Sequence, residues 1–139
     1  MTTTMTISFG CYFLAILIMA ATAATYLFRS EFMPFHSVAI GMPWSEVSYP
    51  FRVLMVASMK VIGCAWLACV FFQLILLFMP FRQGLAWARW ALPIGALISS
   101  AGAFYAMIYT KRNTPAKPPL GLFLFKVALV ILGFVFSLL

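Results

Sequence analysis

Five ionisable side chains in this 139-residue chain have the types and positions needed to bind or protonate a small molecule. Lys60 and Lys126 lie inside long apolar runs. The other three, Glu31, His36 and Glu46, lie in a stretch from residue 29 to residue 52 that holds both acidic residues and the single histidine. Any chemistry that needs a proton acceptor is therefore expected to begin in that stretch.

The two lysines lie at unusual places for membrane-crossing segments. Lys60 follows Phe51 by nine residues and Lys126 follows Leu120 by six, which places both about 9 to 14 Å along their helices from the same end of the bundle. A charge at the bilayer centre costs about 2.5 to 3.5 kcal/mol, so such residues usually face a cavity or a partner. The alternative is that both extend their apolar stems towards the headgroups.

These positions suggest a polar pocket at one mouth of the bundle. Lys60 and Lys126 form its floor in this hypothesis, and an amphiphile with an anionic or hydrogen-bonding head and an apolar tail would suit it. A nearby carboxylate would stabilise each ammonium. In the alternative, the same groups are structural, and the glutamates pair with lysine or arginine and hold the loop to the bundle. In the pocket hypothesis, the residues that cover the pocket are Glu31, His36 and Glu46, and those that form its wall are Tyr105 and Tyr109.

No metal or cofactor is expected. Met33 and Met42 lie near His36, and thioethers with imidazole favour Cu(I), but nine methionines are spread over the whole chain. One histidine in a loop argues against haem. The three cysteines form no CxxC pair and are expected to be buried free thiols.

The composition determines which elements must position these groups. With 65% hydrophobic and 8% charged residues, the chain needs the bilayer as its solvent. Since about 20 apolar residues cross the membrane, we predict an all-α integral membrane protein, a four-helix transmembrane bundle in one domain of residues 1–139. The predicted spans are 7–28, 51–79, 90–109 and 120–139, separated by prolines, with a structured loop between the first and second helices.

Four spans place both termini on one face, called side B, and the first and third loops on the other, called side A. The net charge is +7, and the basic residues stand at the ends of apolar runs, which favours contact with anionic lipid headgroups over nucleic acid. Five basic residues on side A against two on side B predict that loops 1 and 3 are cytoplasmic. Arg82 and Arg89 on side B form a short basic turn that would also suit the cytoplasm.

A stripe of small residues marks the third span. Ala91, Gly95, Ser99 and Ala103 recur every four residues, and small side chains let membrane helices approach closely. The first span has a counterpart in Ala20, Ala21, Ala24 and Thr25. We expect the two stripes to pack together within one molecule, with contact between subunits as the alternative.

Four segments carry a resemblance to known proteins: FMPFH (32–36), PWSE (43–46), PFRQGLAWARWALP (80–93) and TPAKPP (114–119). With them the chain resembles a family of small bacterial four-span membrane proteins without an assigned activity, similar in plan to DoxX-like proteins. The resemblance implies the bacterial inner membrane and the helix count, and it implies nothing about mechanism.

Two functions fit these observations. The preferred one is a non-enzymatic protein that acts by binding, as a homo-oligomer or an accessory subunit of a membrane complex. Two features favour it: the sequence shows no catalytic constellation, and it contains a stripe of small residues that can contact another helix. The alternative is a carrier or enzyme for a lipid or quinone-like amphiphile held in the Lys/Glu/His pocket, in which the lysines fix the head and His36 or a glutamate moves protons.

Overall fold

The chain folds into an all-α bundle with the predicted four long helices. The structure, a computed structural model, describes residues 2–139. Four of the helices are long and apolar enough to cross a membrane, which agrees with a multi-pass membrane protein. In chain order the helices are α1 (Thr3–Phe28), α2 (Pro34–Ile40), α3 (Tyr49–Leu76), α4 (Ala86–Asn113) and α5 (Leu120–Leu138).

The first loop is structured, as predicted. It contains α2, which ends at Gly41 with a φ of 71°, and a short 3-10 turn, Trp44–Glu46. Phe32 and Val47 of this loop are buried against Met59 of α3, and Trp44 packs beside them. This small apolar cluster holds the loop against the side A end of the bundle.

Most helices extend past the predicted spans because polar groups complete their ends. The Thr2 side chain accepts a hydrogen bond from the Met5 amide, so α1 begins within the polar N-terminal segment. Helix α4 continues to Asn113 with Lys111 and Arg112 in its last turn, where cations suit the negative end of the helix dipole.

The turn after α3 differs from a simple break at Pro80. Residues Leu77–Phe81 form a π-helical turn that contains Pro80 and prolongs α3, giving one continuous helical segment from Tyr49 to Phe81. A wider turn accommodates a residue that has no N–H to donate. The reversal towards α4 comes at Gly84, whose φ of 76° suits glycine.

The main core lies in the half of the bundle towards side B. Helix α1 packs mainly against α3 and α5, and Tyr12 at its centre is 2% exposed. The Tyr12 ring stands edge-on to Phe81, with centroids 5.6 Å apart, and it also fills the space over Gly133. Next to it, the buried Ser8 hydroxyl donates to the Gly133 carbonyl at 2.5 Å. These contacts join α1, α5 and the turn after α3 at one end.

The close helix contacts are not the ones that the small-residue stripes suggested. A Cβ added to Gly95 would meet no described atom within 4 Å, and Ser99 and Ala103 face α1 across a cavity. A close backbone approach is found instead at Gly63 of α3, against Ala23 and Leu27 of α1. Tight packing of α1 on α4 within one molecule is therefore absent from residues 2–139, and contact between copies stays a prediction.

Candidate functional site

A cavity of about 330 Å³ lies within the side A half of the bundle. Helices α1, α4 and α5 supply most of its wall, Trp66 of α3 adds one side, and Met33 and Phe35 at the start of α2 add another. The wall also includes Thr22 and Thr25 on α1, Ser99, Ala103 and Met107 on α4, and Leu122, Phe123 and Lys126 on α5.

The cavity exists because the helices diverge towards side A. The buried residues of α4 all lie between Ala88 and Ser100, and none of the residues 101–113 is buried. Ala88, Leu92 and Ala96 belong to the main core, so α4 is held in its first half and leaves the other helices in its second. The facing stripes consist of small residues, so their side chains leave the gap open.

Lys126 is the charged group of the cavity. Its ammonium donates to the Ser100 hydroxyl at 2.7 Å and lies 5.3 Å from the centre of the Phe123 ring. Ser100 in turn donates to the Ala96 carbonyl at 2.5 Å, which orients its lone pairs towards the lysine. An ammonium has three protons to donate, so Lys126 keeps donor capacity after this bond.

The threonine and serine hydroxyl groups around the cavity already donate to their own helices. Thr22 bonds the Ile18 carbonyl at 2.9 Å, and Thr25 bonds the Ala21 carbonyl at 2.8 Å. Ser99 does the same with the Ala96 carbonyl at 3.0 Å. Their oxygens can still accept hydrogen bonds, but their protons are used. Lys126 is therefore the one charged donor among the described residues that line the cavity, where Tyr26 and Trp66 add a neutral O–H and a neutral N–H.

Lys60 has a different role from the one predicted. Its ammonium donates to the carbonyl of Leu27 and, at 2.8 Å, to that of Arg29. Helix α1 ends at Phe28, so these carbonyls are among those that a helix terminus leaves without partners. Lys60 thus caps α1 from α3, and it does not line the cavity.

The predicted lid and wall residues do not assemble around Lys126. Glu31 and Glu46 are exposed on the loop and do not line the cavity. Tyr105 and Tyr109 are also exposed, and their rings stack on each other with centroids 5.9 Å apart. Of the predicted residues, the structure brings together Lys126, Ser99 and Ala103. Ala91 and Gly95 lie nearer side B, away from the cavity.

His36 lies in α2 beside the cavity wall. Its Nδ1 accepts a hydrogen bond from the Met33 amide at 3.3 Å, which ties the side chain to the first turn of α2. Its ring packs edge-on against Phe35 and Phe32. Burial among these groups lowers the pKa of His36 from its ordinary value of 6.5. A neutral imidazole is required for the bond to Met33, because a protonated Nδ1 cannot accept.

Several cavity residues carried no signal that distinguished them in the sequence. Trp66 and Met107 look like ordinary residues of apolar spans. Leu122 and Phe123 could have been found from Lys126, because residues three and four positions away share a helix face. Within residues 2–139, no group of three or more histidine, cysteine or acidic residues is placed to hold a metal ion, and Cys11, Cys64 and Cys69 are free thiols.

Comparisons of the chain with protein-family models, with curated proteins and with solved structures return no match. The resemblance to small four-span bacterial proteins therefore stays a prediction, together with the bacterial inner membrane and the sidedness of the loops. The function must therefore be inferred from the geometry of the cavity.

Proposed function

We propose that this protein binds a single-chain amphiphile in the cavity, with an anionic head on Lys126 and an apolar tail between α1, α4 and α5. The observation that carries the proposal is the position of Lys126: a cationic donor directed into an otherwise uncharged cavity at membrane depth. This is the carrier or enzyme alternative of the sequence analysis, restricted to binding and to one of the two lysines.

The charge balance around Lys126 supports an anionic head. Both acidic side chains of the chain are exposed on the first loop, and neither lines the cavity. A cation without a nearby counter-charge in a low dielectric is stabilised strongly by an anion that also accepts a hydrogen bond. A carboxylate satisfies both requirements, whereas a quinone carbonyl satisfies only the second.

The size and lining of the cavity support a single apolar tail. Its volume of about 330 Å³ lies at the lower end of the range of about 300 to 1,000 Å³ for small-molecule sites. Met107, Phe123 and Leu122 surround the lysine with apolar surface, and Phe35 covers the side A end. A tail that enters between the diverging helices exchanges lipid contacts for protein contacts, so specificity rests on the head.

Photolabelling of the purified protein tests the proposal. The probes are a long-chain fatty acid and a quinone with a tail of equal length, each bearing a photoreactive group and an alkyne. Because a charge-assisted hydrogen bond is worth about 1.5 to 3 kcal/mol, Lys126→Met is expected to weaken fatty-acid labelling about tenfold or more. Lys126→Arg should retain most of it, since the positive charge remains.

The matched control is Lys117→Met, which removes one exposed positive charge from the third loop. Labelling of this variant should equal that of the wild type, and labelled peptides should come from α1, α4 and α5. Equal labelling of Lys126→Met, Lys117→Met and the wild type would refute the proposal. Stronger labelling by the quinone than by the fatty acid would refute the anionic head. Thermal stability in detergent identifies a variant that fails to fold.

A second candidate function, assembly with another membrane protein or a second copy, is favoured by the outer face of α4. Gly95 and Gly102 are exposed, and a Cβ on either would meet no described atom within 4 Å. Ile98 lies between them and is 71% exposed. Two exposed glycines seven residues apart lie on one helix face, where a second helix can come close.

A native mass measurement in mild detergent tests the assembly. The wild type is expected as an oligomer or a complex, and Gly95→Leu is expected to release monomers by steric exclusion. Gly10→Leu is the matched control, because Gly10 is an exposed glycine of α1 with equally open surroundings. A stable lone wild-type monomer, or equal dissociation by both variants, would contradict this function.

A further inference from the structure

A second hollow lies on the outside of the bundle, apart from the cavity. It is an open groove of about 500 Å³ along the first turns of α3, with Trp44 of the 3-10 turn as its wall. The α3 residues that line it follow helical spacing and share one face. They are Tyr49, Arg52, Val53, Val56 and Ala57.

The length of the helical segment allows this groove to lie at the membrane surface. Tyr49 to Phe81 is 33 residues, about 50 Å of helix, against a hydrocarbon core of about 30 Å. A centred segment therefore extends about 10 Å beyond the core at each end. Arg52 is about 5 Å from Tyr49 and lies in the headgroup layer, whereas Val56 and Ala57, about 10 to 12 Å from Tyr49, lie where the hydrocarbon begins.

The charged end of the groove is suited to a phosphate group. The Arg52 Nε–H is buried, and no atom in residues 2–139 accepts a hydrogen bond from it. A guanidinium binds phosphate oxygens through two parallel hydrogen bonds. Neither Glu31 nor Glu46 lines the groove, so its charge is positive.

The aromatic residues give the groove a fixed shape. The Trp44 ring stands edge-on to Phe32, with centroids 4.7 Å apart, and Phe32 is itself buried. Tryptophan and tyrosine are the side chains preferred at the level of lipid headgroups, where one end of the ring is apolar and the other is wet. Contacts within the loop therefore hold Trp44 in place even when the groove is empty.

We propose that the groove binds one anionic glycerophospholipid. The lipid phosphate lies on Arg52, the glycerol region lies between Trp44 and Tyr49, and one acyl chain follows Val53 and Val56 into the membrane. A lipid fits better than a protein partner, because the charged and apolar parts of the groove lie at the depths at which a phospholipid carries its phosphate and its chains. This site is independent of the amphiphile cavity.

Native mass spectrometry during a titration with phosphatidylglycerol tests the site. The wild type is expected to retain one molecule of phosphatidylglycerol, and to retain it more firmly than it retains phosphatidylcholine. Arg52→Gln should weaken that binding about tenfold or more, the equivalent of one charge-assisted hydrogen bond. Val56→Trp fills the apolar end of the groove without changing the charge and should weaken it as well. Arg112→Gln, at an exposed arginine also on side A, is the control and should bind normally.

Each result decides for or against the site. Equal losses in Arg52→Gln and Arg112→Gln would overturn it, because they would indicate attraction by net charge alone. Unchanged binding in Arg52→Gln or in Val56→Trp would also overturn it, as would equal retention of phosphatidylcholine. Lys126→Met should keep this lipid, so failure of the cavity proposal and failure of this one remain distinguishable. Unchanged thermal stability in lipid-free detergent shows that the variants fold.

Discussion

The contact at Gly63 gives the most sharply defined prediction, for Gly63→Ala. A Cβ at this position would lie 2.9 Å from the Leu27 backbone nitrogen and 3.0 Å from the Ala23 carbonyl oxygen. An ordinary contact begins at 3.4 Å, so 3.4 − 2.9 leaves an overlap of 0.5 Å. Both neighbours are backbone atoms of α1, so no side chain can move aside, and the two helices must separate.

The expected cost follows from three contributions. Overpacking of a close contact costs about 1 to 3 kcal/mol. Separation of the helices also stretches the bond from Lys60, three residues before Gly63, to the Leu27 carbonyl, and a charged hydrogen bond is worth about 1.5 to 3 kcal/mol. Alanine recovers up to about 1 kcal/mol of helix propensity. The net loss is about 1.5 to 5 kcal/mol, which lowers the melting temperature by roughly 3 to 20 °C.

Thermal unfolding in a mild detergent, followed by circular dichroism, measures this effect. The control is Gly95→Ala, the same substitution in an apolar helix where the added Cβ meets open space. This variant should be as stable as the wild type or slightly more stable. If Gly63→Ala melted together with Gly95→Ala, the close approach of α1 and α3 would be refuted, and with it the account of Lys60 as a cap.

Three further predictions concern the cap, the cavity and the loop. Lys60→Met should lower the free energy of unfolding by about 1.5 kcal/mol or more, because two hydrogen bonds to carbonyls of α1 and its C-cap are lost. Lys111→Met, at an exposed lysine, should leave it unchanged. Equal melting temperatures of the two variants would contradict the role of Lys60 as a cap of α1. Ser99→Leu should fill the cavity and abolish fatty-acid labelling, with little change in the melting temperature of the protein. The control, Ala101→Leu on the exposed face of α4, should be labelled like the wild type. Labelling of both variants would place the ligand elsewhere. The folded pKa of His36 is below 6.5, so the unfolded loop binds the proton more tightly, and the stability of α2 should fall as the pH drops from 6.5 through the folded pKa. Lower protection of the α2 amides at pH 5 than at pH 7.5, after correction for the slower intrinsic exchange at low pH, would show this, and its persistence in His36→Gln would contradict the role of the imidazole.

The sequence was sufficient for the architecture because the membrane leaves few alternatives. A run such as 120–139 is apolar for its whole length, and only a helix satisfies its backbone in lipid. The prolines also located the connections well. Pro80 was the exception, since a π-helical turn accommodates it and moves the reversal to Gly84.

The direction in which each helix faces could not be predicted in the same way. In a soluble helix polar residues mark the outer face, but in lipid both faces are apolar, so no pattern separates inside from outside. The positions of Lys60 and Lys126 along their helices could be read from the sequence, whereas their partners depend on helix rotation. One lysine therefore caps α1 and the other enters the cavity. Gly63 was overlooked for the same reason, because nothing in its surroundings distinguishes it from Gly95.

The placement of Tyr12, Gly133 and Phe81 at one end, and of the cavity at the other, divides the molecule along the membrane normal. The half that contains Tyr12 holds most of the buried residues, whereas α4 has none beyond Ser100, so we expect α4 to be able to bend there without disturbing the core. A change in bilayer thickness or lateral pressure would consequently alter the width of the mouth well before it endangered the structure.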